Sequence, residues 1–509
     1  MIYHLPLLTL LIWFPVLGAV AVLMTGGDKN ARTARGIAIL VGLVNLALCV
    51  PLYMGFDTAT YHMQFTENVL WIRVYQIHYA VGVDGISLAM IILTNFTGLL
   101  VIFAGCEAIK KRIAQYMATF LVMQGMMIGV FAATDAILFY VFWEGMLIPM
   151  YLSIGMWGSA NRSYASIKFF LYTFLGSILM LVAILYLYNR TGSFEITKFY
   201  GLNLATHFQI LVFFAFFLAF AVKVPMWPVH TWLPDAHTEA PSGGSVVLAA
   251  LMLKLGIYGF LRFSMPIVPQ ACEQLAWFMI ILSLIAIVYI GLVAIVQTDM
   301  KKLIAYSSIA HMGFATLGCF MVYDIIRHTA VYQDAYMSLE GAVIQMIAHA
   351  FGSGAMFLGV GIMADRLASH SRLIKDYGGI AHRMPVFAAF FLLFAMSNVG
   401  LPGTAGFVGE FMVIMSAFQA HFWVAFTASM TLILAASYTL WMYKRVFLGK
   451  ITSEYVAEFP EITFLEKTNY VLLAFGVFFL GLYPAPILNL LHATVGHLLI
   501  QSMPLNIVH

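Results

Sequence analysis

The sequence predicts an all-α polytopic membrane protein of about 14 transmembrane helices, two of them broken, with two inverted five-helix repeats. Three observations predict it. Hydrophobic residues make up 62% of the 509 positions and charged residues only 9%, against roughly 45–50% and about 25% in soluble proteins. So few charges could not cover a soluble surface of this size. Apolar runs of spanning length recur along the whole chain, and cationic residues concentrate in alternate connections. Two runs are interrupted by proline and glycine beside a charged residue. With ~20 residues per span, no room remains for a soluble NAD, flavin or nucleotide domain.

The N-terminal Met1-Ile2-Tyr3-His4 lacks a basic stretch, and its apolar run continues to Met24 with Lys29, Arg32 and Arg35 behind it. That pattern predicts a retained first span, not a cleaved signal peptide. The runs lie near 5–24, 36–55, 83–105, 114–133, 136–157, 166–188, 206–232, 244–262, 275–296, 302–323, 338–363, 386–420, 424–444 and 468–490. With the N-terminus outside, 18 of the 25 Lys and Arg residues fall in inward connections and 5 in outward ones. Positive charge favours the inner side, so this segregation predicts 14 spans with both termini outside. Lys301 counts among the inward loop charges and Arg262 among the outward ones.

The interrupted runs are Phe220-Ala221-Val222-Lys223-Val224-Pro225-Met226-Trp227-Pro228 and Asn398-Val399-Gly400-Leu401-Pro402-Gly403-Thr404-Ala405-Gly406. Interior prolines remove helix hydrogen bonds, and unwound backbone at membrane depth needs protein or a wet cavity beside it. A single proline would read as a packing kink; two breaks, each near a charge, point to a transport site. Pro402 follows Pro225 by 177 residues, and Phe351-Gly352-Ser353 follows Leu175-Gly176-Ser177 by 176. Five spans separate the breaks, so the repeats are inverted. The predicted divisions are 1–113 (helices one to three), 114–262 (first repeat), 275–444 (second repeat) and 445–509 (final helix and tail).

Four charged residues fall inside apolar runs: Glu144, Lys223, Lys254 and Glu410. Each costs ~2.5–3.5 kcal/mol at a helix centre on insertion scales, so such residues read as functional. Lys223 is the expected counter-ion of Glu144, because a buried carboxylate needs a partner or a proton. His311 and His349 add groups that titrate near neutrality. Alternatives stay open: a Glu–Lys pair also serves as a static clamp, a lone His as a packing residue, and Ser307, Ser308 and Gln345 as interhelical bridges. Asp84, Asp135, Asp235 and Glu340 fall at span ends, where a solvated charge is expected. The net charge of +3 does not point to nucleic acid. Cys49, Cys106, Cys272 and Cys319 are scattered without a C-x-x-C pair, against a metal, iron–sulfur or disulfide framework.

Tyr140-Val141-Phe142-Trp143-Glu144, Phe220 to Pro225, His230-Thr231-Trp232-Leu233-Pro234-Asp235-Ala236-His237 and Gln297 to Ser308 resemble the antiporter-like membrane subunits of respiratory complex I. Relatives of these are the multi-subunit Na⁺/H⁺ antiporters and membrane-bound hydrogenases. The resemblance covers nearly the whole chain. It implies a proton path through Glu144, Lys223, Lys254, His311, His349 and Glu410. Sister subunits usually carry Lys at the second break, whereas this chain reads Gly409-Glu410-Phe411. The chain is too short for the long lateral helix of one sister. No cofactor is expected in this chain; NADH, FMN, iron–sulfur clusters and quinone are implied in partner subunits. The implied function is proton translocation coupled to NADH oxidation and quinone reduction, with an antiporter or hydrogenase subunit as the alternative. The implied location is the bacterial inner membrane; animal mitochondrial counterparts are shorter.

Overall fold

The computed structural model describes residues 5–329, 331–367, 369–451 and 453–503. Among these, 12 helices are long and apolar enough to cross a membrane, and three shorter apolar helices are Leu7–Leu23, Pro385–Val399 and Ala405–Ala420. Each of the 14 expected runs thus contains helix, the 386–420 run as two halves and the 206–232 run only as far as Lys223. In hydrocarbon each N–H and C=O must bond within its own segment, and for a long apolar run the helix does so.

Burial sorts the helices into centre and perimeter. The most apolar stretches of Ser242–Ile267 and Met300–Thr329 are 100% buried, and that of Tyr332–Arg366 is 94% buried. Those of Asp28–Met54 and Arg162–Thr191 are only 33% and 39% buried, leaving their outer sides to lipid or partner subunits. Lys254, His311 and His349 sit on the three central helices.

Both expected breaks are present. The first half-helix ends at Lys223 and the chain resumes helix at Trp232. The Trp232 indole N–H donates to the Val222 carbonyl at 2.9 Å, and the Met226 N–H donates to Ala221 O at 2.7 Å. Carbonyls orphaned by the helix end are thereby satisfied, as the membrane interior demands. The second break joins Val399 to Ala405, with Gly400 and Gly403 in the left-handed region at φ +81° and +88°, which only glycine enters without strain. A third, milder interruption lies at Met146, between Ala136–Gly145 and Leu147–Trp157. Pro149 has no N–H for the Gly145 carbonyl, so the helix steps immediately after Glu144.

The structure adds elements that hydropathy does not reveal. Gln64–Ile72 and Ile77–Val83 form an antiparallel hairpin. Its Glu67 carboxylate accepts the Leu8 N–H at 2.9 Å, capping a helix that otherwise has no side-chain cap. The run expected over 468–490 ends at Leu482, and Pro484 and Pro486 begin a separate helix, Ala485–Ser502. His497 of that helix stacks on Tyr61 beside the hairpin, with ring centroids 3.7 Å apart.

Arg262 and Asp84 were expected as solvated charges at span ends, and both are enclosed. The eighth span continues to Ile267, which draws Arg262 inside, where its Nη2 lies 2.5 Å from Asp84 Oδ2 with side chains 12% and 3% exposed. Asp84 also accepts the Ser87 N–H at 2.9 Å, capping Gly85–Ala108. Asp84→Asn leaves the guanidinium without its counter-charge and is expected to destabilise by about 3–5 kcal/mol. Thermal unfolding of the detergent-solubilised assembly should show a lower midpoint, most of which the double variant Asp84→Asn/Arg262→Met recovers.

Candidate functional site

The six candidate residues fall into two groups. Glu144 ends the helix before the Met146 step and is half-buried, while Lys223 ends the first half-helix and is buried. No direct ion pair joins them: no Glu144 oxygen lies within 4.0 Å of Lys223 Nζ, and both Glu144 Oε1 and Lys223 Nζ lack a hydrogen-bond partner. The ammonium instead faces aromatic rings, 5.2 Å from the centroid of Trp143 and 6.0 Å from that of Phe169. Ring quadrupoles stabilise a desolvated cation by about 2 kcal/mol, less than a buried charge requires. The expected contact is absent, although the two groups remain within electrostatic reach of one another.

The other four residues form a line across the three central helices to the second break. Lys254 Nζ lies 2.7 Å from His349 Nδ1 and 2.5 Å from the Ala249 carbonyl. The helix around it is π-helical on both sides, at Leu248–Met252 and Phe260–Ser264; such turns cluster at functional sites. The His349 and His311 ring centroids are 5.9 Å apart. His311 Nδ1 lies 2.8 Å from Glu410 Oε1, and Gln345 Nε2 donates to the same oxygen at 3.2 Å.

Donor rules assign the protons along this line. With Lys254 charged, its ammonium only donates, so His349 Nδ1 accepts and its Nε2 carries the hydrogen. With Glu410 ionised, its carboxylate only accepts, so His311 donates from Nδ1 and its Nε2 has the free lone pair. Both Nε2 atoms lack protein partners. A cavity of about 10 Å³ lined by both rings, Gln345, Asn398 and Glu410 lies here, close to the lower limit for one water. Donor therefore faces acceptor from Lys254 to Glu410, with a gap of water size at its centre.

The surrounding polar residues hold this geometry. Asn398 Nδ2 donates to Ser307 Oγ at 3.0 Å and Thr439 Oγ1 at 3.1 Å, which fixes the half-helix before the break. Ser308 and Ser353 hydroxyls lie 2.9 Å apart and pin the Met300–Thr329 helix to Tyr332–Arg366. Asp135 is a buried helix cap, Asp235 pairs with Lys168 at 2.7 Å, and Glu340 accepts from His492. These acids are thus structural partners and not free surface charges.

One residue of this neighbourhood escaped the sequence analysis as a site candidate. His237 is fully buried, stacks on Phe357 at 4.3 Å, and neither ring nitrogen has a partner. It lies in the short helix after the first break, outside any long apolar run, so hydropathy does not flag it. The spacing of His230 and His237, two helical turns apart, was the available signal. Among the described residues, no group of three or more His, Cys, Asp or Glu side chains could hold a metal ion.

The family profile described as NADH:quinone oxidoreductase/Mrp antiporter, TM, matches residues 133–435. The NADH-quinone oxidoreductase subunit M of Rhodobacter capsulatus is 46% identical over 508 residues, covering 97% of this chain and 96% of that one. A chain of respiratory complex I from Thermus thermophilus, solved with bound NADH, superposes with a TM-score of 0.87 at 27% identity. That match covers 98% of this chain and 100% of the other. A chain of the Mrp complex from Dietzia sp. DQ12-45-1b matches with a TM-score of 0.81 at 22% identity, over 97% of this chain and 52% of that one. The last likeness concerns the fold alone.

The close approach of the second half-helix to Gln345 yields a test of the geometry. A Cβ on Gly409 would lie 2.7 Å from both the Gln345 backbone N and its Oε1, so Gly409→Ala must push the helices apart. Overpacking of this kind costs about 1–3 kcal/mol, and a lowered unfolding midpoint of the solubilised assembly should register it.

Proposed function

The chain belongs to the NADH:quinone oxidoreductase/Mrp antiporter transmembrane family, and on that premise we propose that it is a proton-translocating membrane subunit of an NADH-quinone oxidoreductase. Partner subunits bind NADH, FMN, iron–sulfur clusters and quinone; this chain moves protons. The observation that carries the reading is the line Lys254–His349–His311–Glu410, in which close side-chain contacts leave one gap of water size.

In this reading Lys254 passes a proton to His349 Nδ1 while His349 gives its Nε2 proton across the gap to His311 Nε2. His311 in turn releases its Nδ1 proton to Glu410. Each handover breaks one N–H bond and forms another N–H or O–H bond, with no electron transferred. Glu144 and Lys223 form the control pair. With their side chains separated, Lys223 presents an uncompensated charge toward the interior; with them closed, that charge is neutralised. Moving one charge against 100 mV requires ~2.3 kcal/mol, a shift of the size that closing a buried pair can supply.

The same reading places the chain in a bacterial inner membrane with both termini outside. It takes 114–262 and 275–444 as two inverted repeats, flanked by 1–113 and by 445–509. The two helix breaks, 177 residues apart at Pro225 and Pro402, support that division.

Two sets of variants test it. Glu144→Ala or Lys223→Ala should cut proton pumping to below roughly a tenth in membrane vesicles, within the range of a positioned proton donor's contribution, with assembly retained. Loss of the assembled complex would point to a static clamp. At Glu410, Glu410→Gln keeps an acceptor and removes the titration, so pumping should fall as far. Glu410→Lys keeps a titratable group; the free Gln345 Oε1 can turn to accept from it, and His311 can change tautomer. That variant should retain a substantial part of the pumping. Near-normal pumping in both would remove Glu410 from the path.

A further inference from the structure

Lys301 is a buried lysine without a counter-ion. Its place between two apolar runs marks it as an inward loop charge, yet it lies in the first turn of Met300–Thr329 and is 4% exposed. Its Nζ donates to the Ala240 carbonyl at 2.8 Å and contacts Ser245 Oγ at 3.3 Å. Among the described residues no carboxylate lies within 4.0 Å of it. Glu239 and Asp299, the acids near this turn, face Arg372 instead, at 3.7 and 3.4 Å. A buried ammonium with only neutral partners is expensive to retain, which suits a group whose charge comes and goes.

His237, with both ring nitrogens unpartnered, lies within electrostatic reach of both Lys301 and Lys254. Ser245 links them structurally: its hydroxyl donates to the His237 carbonyl at 3.0 Å and contacts Lys301. On the far side, Asp365 is within electrostatic reach of Lys301 and lines a cavity of about 400 Å³ with Glu107, Glu466, Arg366, Ser242 and Asn469. Asn469 is 1% exposed and its Oδ1 has no partner. Glu466 is held by Arg366 at 2.7 Å, Glu107 accepts from the Thr463 hydroxyl at 2.7 Å, and Asp365 lies 3.9 Å from His370 Nδ1, so none of these carboxylates except Glu466 is tied to an arginine or lysine. The cavity is thus acidic on a face of the molecule otherwise rich in Lys and Arg.

We propose that Lys301 and His237 form an access branch that carries protons between this acidic cavity and Lys254. The inference rests on the relay reading above and extends it with two residues. An Asp365 or Glu107 carboxyl, or water in the cavity, gives a proton to the neutral Lys301 amine. The ammonium then loses one proton to a His237 ring nitrogen, and the opposite ring nitrogen releases one to the Lys254 amine. Every step moves one proton, and no electrons are transferred.

Lys301→Arg separates a titrating role from an electrostatic one, because a guanidinium donates the same hydrogen bonds but does not give up its proton. Proton pumping per NADH oxidised is measured in membrane vesicles, normalised to assembled complex, for Lys301→Arg, Lys301→Gln, His237→Gln and the reference Lys254→Met. The branch predicts that all four fall below roughly a tenth of the parent, as for loss of a positioned proton carrier. Near-parent pumping in Lys301→Arg overturns the proposal, since charge alone then suffices. Normal pumping in both Lys301→Gln and His237→Gln, with Lys254→Met defective, removes the branch and leaves the relay standing. Normal pumping in Lys254→Met removes the relay and the branch with it. Should the Lys301 variants fail to assemble, Asn469→Cys, with the native cysteines replaced, tests the cavity directly. Labelling by a charged, membrane-impermeant thiol reagent is expected, and protection of the thiol overturns the proposal.

Discussion

An ammonium enclosed by three central helices, 2.7 Å from an imidazole nitrogen, is the contact on which the rest of this structure depends. A lysine in hydrocarbon has only its neighbours to offset its charge. Lys254 has one imidazole and one carbonyl, and the carbonyl belongs to a π-helical turn. The π-turns on either side of Lys254 are therefore part of the same solution as the lysine. The second break serves the same end, since it lets the half-helix bearing Glu410 approach closely enough for the carboxylate to meet His311 and Gln345. Glycines at 406 and 409 permit that approach, because a Cβ at either would run into neighbouring backbone.

What sequence could reveal follows from which forces are local. Spans are local: a long apolar run has to bond its own backbone, so each of the 14 runs holds a membrane-length or shorter apolar helix, although those expected over 206–232 and 468–490 stop early, at Lys223 and Leu482. The breaks at Lys223 and Val399 are local too, because prolines and glycines act on the adjoining turn. Burial of charge is not local. Arg262 and Lys301 stood at the margins of apolar runs and were counted with the loops. Only the neighbours that fold against them, Asp84 for one and the Ala240 carbonyl for the other, draw them inside. The separation of Glu144 from Lys223 is a property of three-dimensional packing, and the hairpin at Gln64–Val83 depends on pairing partners that hydropathy does not weigh. Which charges lie inside apolar runs was legible at the candidate site; the contacts among them, and the burial of His237, were not.

The division of the charged residues into two groups gives the parts distinct physical work. Lys223 sits against aromatic rings at 5.2 and 6.0 Å with no acceptor, an arrangement that holds a cation weakly and lets it be drawn elsewhere. The relay, by contrast, is hydrogen-bonded at both ends. Under the proposed function, a weakly held charge is suited to control, because it can be drawn to a new partner without first breaking a strong contact. Had Glu144 and Lys223 been locked in a bidentate contact, moving either would have required first breaking a buried pair, at a cost of about 3–5 kcal/mol.

The tautomers along the relay add a constraint on its cycle. With His349 carrying its hydrogen on Nε2 and His311 on Nδ1, every group points its proton from Lys254 toward Glu410. Passage of one proton reverses both rings: His349 is left with its hydrogen on Nδ1 and His311 with its hydrogen on Nε2. A second proton cannot follow in the same direction until both rings turn or the line is refilled in reverse. Once Glu410 has taken the proton, its hydroxyl donates back to the bare Nδ1 of His311 and still holds that ring; only when Glu410 passes the proton on does a carboxylate face a bare nitrogen, and the ring must then turn to offer its N–H. Under the relay reading, onward release from Glu410 is therefore the step that resets His311. A lysine at this position would hold the same nitrogen while charged and let it go on handing a proton on. That shared titration, more than the sign of the charge, explains how either residue type can stand at the break.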